Sequence, residues 1–184
     1  MSASVVVKID KVGNIVKALT ALTNKDVLVG IPDQTTERKP DDDDNGPVNN
    51  ATLGYIHEHG SPANNIPARP FLIPGVKDAH DEVEHRLKKA ANLALDGNLS
   101  AVDAQLSMAG QEARDSVKAK INSGDFEPLA DATLEARARK GRKGAKAELA
   151  SRRAGNAPST ALAKPLIDTG QLRNSITYVV RGKK

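Results

Sequence analysis

No cysteine and no tryptophan occur in the 184 residues, and only four side chains are aromatic: Tyr55, Phe71, Phe126 and Tyr178. Without thiols there can be neither a disulfide framework nor a thiolate metal site. With so few rings, the core must be built from Leu, Ile, Val and Ala, and it cannot be large. No apolar run approaches the roughly 20 residues that a membrane-spanning helix needs. The N-terminus has Lys8 before Ile9 and no long apolar stretch, which predicts no signal peptide. These absences point to a protein folded in a cytoplasm, even if it ends in an exported particle. The length suits one domain over 1–184.

What charge there is, is unevenly placed. Residues 1–133 carry 14 Lys+Arg and 20 Asp+Glu, a net of −6, whereas residues 134–184 carry 13 and 3, a net of +10. The C-terminal fifty residues are therefore the candidate surface for a polyanion, with a solvated basic tail as the plainer reading.

Taken in order, Ser4 to Ile9 is Val-rich and alternating, as a strand is. Val12, Ile15, Val16, Leu19 and Leu22 follow a helical period that should end near Asn24. Asp26 to Ile31 predicts a second strand, stopped by Pro32. Residues 32–50 read as an exposed acidic loop containing Asp41 to Asp44. Asp41-x-Asp43-x-Asn45-Gly46 matches the first half of an EF-hand calcium loop, but Thr52 stands where a bidentate Glu is needed. A solvated loop is the better reading. Ala51 to His59 predicts a short helix with Leu53, Ile56 and Tyr55 turned inward, stopped by Gly60. Pro62, Pro67, Pro70 and Pro74 stiffen the segment that follows. Val76, Ala79, Val83, Leu87, Ala90 and Ala94 predict an amphipathic helix over about 75–96. Asp96-Gly97-Asn98 should break it, and a Ser100/Asp103 capping box should start a second helix running to Asn122.

The basic segment contains Arg137, Arg139, Lys140, Arg142, Lys143, Lys146, Arg152 and Arg153, interrupted by Gly141, Gly144 and Gly155. It reads as a flexible arm over 137–160, and those eight cations are the DNA-facing candidates. No aromatic lies between residues 127 and 177, so only sequence-independent backbone contact is available to the arm. Near the end, Asp168 or Thr169 can cap a short helix carrying Leu172 and Ile176 on one face, and Thr177 to Val180 suits a strand. The expected fold class is α+β. A small mixed sheet, from the N-terminal strand-helix-strand plus the C-terminal strand, packs against long amphipathic helices, with two extended polar arms.

Catalytic signatures are missing. There is no Gly-x-Ser-x-Gly, no phosphate-binding loop and no metal-ligand spacing among His57, His59, His80 and His85. His57 and His59 at i, i+2 point apart on a helix. The expectation is a protein that is not an enzyme and needs no cofactor.

Two stretches carry a resemblance. Leu53-Gly-Tyr-Ile-His-Glu-His-Gly60 is followed by Ile66-Pro-Ala-Arg-Pro-Phe-Leu-Ile-Pro74, and much later comes Pro165-Leu-Ile-Asp-Thr-Gly-Gln-Leu-Arg-Asn-Ser-Ile176. Together they resemble the virion-morphogenesis proteins of tailed bacteriophages, the neck or tail-completion proteins of the minor-tail-component type that join head to tail. Pro128 to Arg137 is similar to the Leu–Thr–basic helix that precedes the second motif in that family. The resemblance implies a homo-oligomer, suggested to be a hexameric ring between head and tail, through which DNA passes. It implies location in the virion neck after synthesis in the host cytoplasm, neighbouring connector and tail-terminator proteins as partners, and no membrane. Its motifs put forward Tyr55, His57, Glu58, Arg69, Phe71, Asp168, Thr169, Leu172 and Arg173 as junction or subunit-interface residues, with Arg69 locking the lead into the long helix. Relatives often continue with more strand after the point where Lys184 stands, so a strand supplied by another subunit is expected. A tail terminator or a head-closure protein of the same joint is the alternative, and a free non-specific nucleic-acid-binding protein is the alternative from another class.

Overall fold

The structure is a computed structural model that describes residues 12–32 and 49–183. In chain order it contains α1 (Val12–Thr23), β1 (Lys25–Gly30), α2 (Asn50–His59), a 3-10 turn (Pro62–Asn64), α3 (Leu72–Asp78), α4 (His80–Leu95), α5 (Leu99–Ser123), α6 (Asp131–Arg139), α7 (Lys143–Arg153), α8 (Gln171–Ser175) and β2 (Thr177–Gly182). The protein is α+β, with a small sheet packed on helices. Among the described residues that sheet is not mixed: β1 and β2 form one antiparallel pair, continued by the Lys183 N–H donating to Asn24 O at 2.7 Å. The strand expected over 4–9 and the acidic loop at 33–48 lie outside the described residues.

The residues group into two compact units. The first comprises 1–28, 80–112 and 178–184. Its core is Ala18, Ala90, Ala94, Val102 and Leu106, with Leu19, Leu22, Val27, Leu93 and Val180 packed against it. The many alanines let α1, α4 and α5 approach closely but bury little area, at roughly 25 cal/mol per Å². Polar ties supplement them. Arg86 Nε donates to Glu112 Oε1 at 2.9 Å, far from the Asp96-Gly97-Asn98 turn, which fixes α4 and α5 antiparallel. Lys25 pairs with Asp103. Asp103 is therefore not part of a capping box. Asn98 caps α5 instead, its Oδ1 accepting from Ala101 N at 3.2 Å.

The second unit comprises 29–79 and 113–177. One of its clusters joins Phe71, Val117, Ile121, Leu166 and Ile176. The other joins Leu129, Leu134, Ala145 and Ala163, flanked by Ala138 and Leu149. That second cluster corrects the expectation of a flexible arm over 137–160. Leu134 and Ala138 form an i, i+4 stripe on α6, and Ala145 and Leu149 form another on α7. The Lys140-Gly141 turn folds the two helices onto each other, with Gly141 at φ 82°. The density of cations hides these short apolar stripes from a periodicity reading. The single helix expected over about 75–96 is likewise divided, at Ala79 between α3 and α4.

In this second unit α3 lies directly on α5. A Cβ on Gly75 would stand 2.6 Å from Val117 Cα and 3.1 Å from Val117 N, and Ser116 Oγ donates to Gly75 O at 2.7 Å. Backbone cannot yield as a flexible side chain can. Gly75→Ala is therefore expected to destabilise the protein by about 1–3 kcal/mol, read as a lower urea midpoint. An unchanged midpoint would show that the contact is not constrained.

Candidate functional site

The first stretch singled out by its motif is built around a buried carboxylate. Helix α2 turns Asn50, Gly54 and Glu58 inward, at i, i+4 and i+8. Tyr55 points the other way, is 67% exposed and stacks on His59 with ring centroids 4.3 Å apart. The inward orientation expected for Tyr55 is thus corrected: the glycine beside it faces the interior. Glu58 Oε2 accepts from Phe71 N at 2.7 Å and Leu72 N at 2.8 Å, and its Oε1 accepts from Ile73 N at 2.9 Å. Those donors open α3, where N–H groups have no partner inside the helix and the backbone dipole favours negative charge.

The chain between Glu58 and Phe71 is shaped to permit this. Gly60 ends α2 at φ 76°, its N–H donating to Ile56 O at 2.7 Å. Ser61 and Ile66 form an antiparallel bridge, and Arg69 N donates to His57 O at 2.6 Å, returning the proline-rich segment along α2. The buried Arg69 guanidinium donates through Nε to Glu127 O at 3.1 Å and through Nη2 to Pro128 O at 3.4 Å. Burial pulls its pKa below the ordinary arginine value, opposed by the charge of Glu127.

The second stretch meets the first. Leu172 on α8 is buried, and Ile176 shares a cluster with Phe71. A Cβ on Gly54 would stand 3.1 Å from Ile31 Cδ1 and 3.7 Å from both the Leu172 and Phe71 side chains. Gly54 is where α2 admits α8. A small apolar pocket of about 220 Å³ remains there, bounded by Ile31, Gly54, Tyr55, Phe71, Leu72 and Ile176. The expected capping of α8 is corrected for Asp168, and Thr169 meets it only loosely. Gly170 occupies the cap position at φ 80° with no side-chain cap bond, and Thr169 Oγ1 only accepts from Gln171 N at 3.4 Å. Arg173 donates to Asn122 Oδ1 at 3.0 Å.

Asp168 is turned toward the basic helices instead. Arg142 Nε donates to it at 2.9 Å, and Arg137 Nε lies 3.9 Å away. Arg137 grips the backbone of the same loop: Nη1 donates to Lys164 O at 2.9 Å and Ile167 O at 3.1 Å, and Nη2 donates to Pro165 O at 2.7 Å. Burial lowers its pKa, with Asp168 opposing that shift and the nearby Arg69 and Arg142 adding to it. Arg152 is committed as well, to Glu148 Oε1 at 2.9 Å, Asp131 Oδ1 at 2.6 Å and Leu129 O at 2.9 Å. Of the eight cations put forward as DNA-facing, Arg137, Arg142 and Arg152 thus hold the fold together. Arg139, Lys140, Lys143, Lys146 and Arg153 are exposed.

Sequence reasoning passed over Gly54, Asp131 and Glu148. Glu148 is 1% exposed and accepts from Ser159 N at 2.8 Å as well as from Arg152. The i, i+4 spacing of Glu148 and Arg152 was its readable signal. His57 and His59 are not brought together with other ligands. Among the described residues, His80, Asp81 and Glu84 are the group whose ligand atoms converge; all three are exposed, and Glu84 is paired with Lys88 at 2.8 Å. No described helix is long and apolar enough to cross a membrane. In comparisons with known proteins, no family model, no curated protein and no solved structure matches this chain.

The site is mechanical in its chemistry: a carboxylate and three guanidinium groups clamp backbone from segments distant in sequence. Glu58→Ala leaves three donors without an acceptor and should destabilise by about 3 kcal/mol. Glu58→Gln, which keeps one carbonyl oxygen, should cost less. Urea denaturation of both variants measures this, and a stability equal to wild type would refute the clamp. Arg137→Lys should also lower the midpoint, because an ammonium cannot reproduce the planar fork that reaches three carbonyls.

Proposed function

We propose that this chain is a structural subunit of the head–tail joint of a tailed bacteriophage, a neck or tail-completion protein that assembles into a ring through which DNA passes. One observation carries the reading. The two stretches in which the resemblance resides, about ninety residues apart, meet in one junction: Glu58 holds Phe71 to Ile73, and Phe71 packs in one cluster with Ile176. The residues that resemble the family are therefore those that set the shape of this unit, as a connector subunit requires.

The surface offers anchors for a neighbouring copy. Tyr55 is 67% exposed and Ile73 66% exposed, both on segments fixed by the Glu58 clamp. Exposed large apolar groups on rigid elements suit a heterologous interface, which closes into a ring when the rotation between copies allows. The resemblance suggests six copies. A tail terminator or head-closure protein would use the same kind of ring, and the joint phenotype separates them.

Particles assembled without this chain, viewed by negative-stain electron microscopy, provide the test. Full heads beside finished, separate tails are expected. Tails of uncontrolled length would reassign the chain to tail termination, and normal joined virions would remove the structural reading. Tyr55→Glu is expected to leave the unfolding midpoint unchanged while abolishing ring formation in size-exclusion chromatography with light scattering. A ring that persists would place the interface elsewhere.

A further inference from the structure

Helix α7 has two faces of different character. Inward lie Ala145, Glu148, Leu149 and Arg152, packed or hydrogen-bonded. Outward lie Lys143, Lys146, Ala147, Ala150 and Arg153, all exposed. Lys143, Lys146, Ala150 and Arg153 follow i, i+3, i+7 and i+10, which puts them on one stripe about 15 Å long. That stripe carries no carboxylate. The only acid of α7, Glu148, is buried on the opposite side and held by Arg152 and Ser159 N.

The cations are also placed against the helix's own electrostatics. Lys143 in the first turn and Lys146 just beyond it lie at the positive end of the backbone dipole, and the first turn holds no acidic residue to offset them, Asp168 being engaged by Arg142 at the N-cap. Folding alone would favour the opposite sign there, an imbalance that a bound anion would relieve. The stripe has no large apolar side chain to serve as the anchored centre of a protein interface. Two alanines between the cations instead permit close approach of a backbone. No aromatic residue in this part of the chain offers a stacking platform for unpaired bases, which disfavours single strands.

We propose that the outer face of α7, through Lys143, Lys146 and Arg153, binds the phosphate backbone of duplex nucleic acid without regard to sequence. The inference stands on the geometry of α7 and does not depend on the head–tail reading. It also divides the eight basic residues by role, since Arg137, Arg142 and Arg152 are engaged within the chain.

The test is fluorescence anisotropy of the full-length protein with labelled random-sequence duplex DNA, between 50 and 200 mM KCl. Three phosphate contacts should give a slope of log affinity against log salt of about −2.7, a loss of about 40-fold across that range. Combined Lys143→Gln, Lys146→Gln and Arg153→Gln should remove that part of the slope and weaken binding at least about tenfold at 50 mM KCl. The unfolding midpoint should stay unchanged, because the three side chains are exposed. Duplexes of different base composition should bind alike. Undiminished binding by the triple variant, no duplex binding by the wild-type protein, or tighter binding to polyaspartate than to duplex would each overturn the proposal, the last in favour of an acidic protein partner. Head–tail joining is not read in this assay, so the two readings fail separately.

Discussion

The buried carboxylate of Glu58 sets where α3 begins in the second unit. Withdrawing Glu58 from water is costly, by several kcal/mol for an isolated ion. The cost is offset because three backbone N–H groups at the start of α3 converge on its two oxygens. Neither partner is satisfied without the other: α3 would begin with bare donors and α2 would bury a bare charge. The bond set therefore fixes where α3 starts, and with it Phe71, whose ring joins Val117, Ile121, Leu166 and Ile176.

Arginine repeats this logic with the sign reversed. Arg69 reaches the carbonyls of residues 127 and 128, Arg137 reaches those of residues 164, 165 and 167, and Arg152 reaches that of Leu129. In a unit with few aromatic rings and small apolar clusters, guanidinium forks satisfy loop carbonyls that strands and helices would otherwise pair. Irregular segments become rigid without a large hydrophobic core. Basic composition in this chain is therefore partly structural, and only the residues left over, such as those along α7, are available to a polyanion.

The parts legible in the sequence were those with a single dominant signal. The period of Val12 to Leu22 marked α1, Gly60 marked the end of α2, and the Asp96-Gly97-Asn98 break separated α4 from α5. Tyr55 was misjudged because aromatic character argued for burial, while the close approach of Leu172 and Phe71 reserves the inner face for Gly54. Asp168 read as a helix cap on local chemistry, but a long-range pair with Arg142 outcompeted that role. Helix α6 was signalled only by the resemblance at Pro128 to Arg137, and α7 was hidden, because their apolar stripes are two residues each, diluted by cations whose partners lie in distant loops. The meeting of the two motif stretches was not readable from either one, since pairing across such a separation leaves no local period.

The pairing of β1 with β2 joins residues 25–30 to residues 177–182. The loop it closes holds about 150 residues, and such closure carries an entropic cost that rises slowly with length but delays contact formation. On the ribosome, β1 must wait for about 150 further residues before its partner exists. Its hydrogen-bonding edge stands open for that interval, as strand edges that invite association do. Synthesis speed, and whatever shields β1 during it, thus bears on yield alongside the stability of the finished fold.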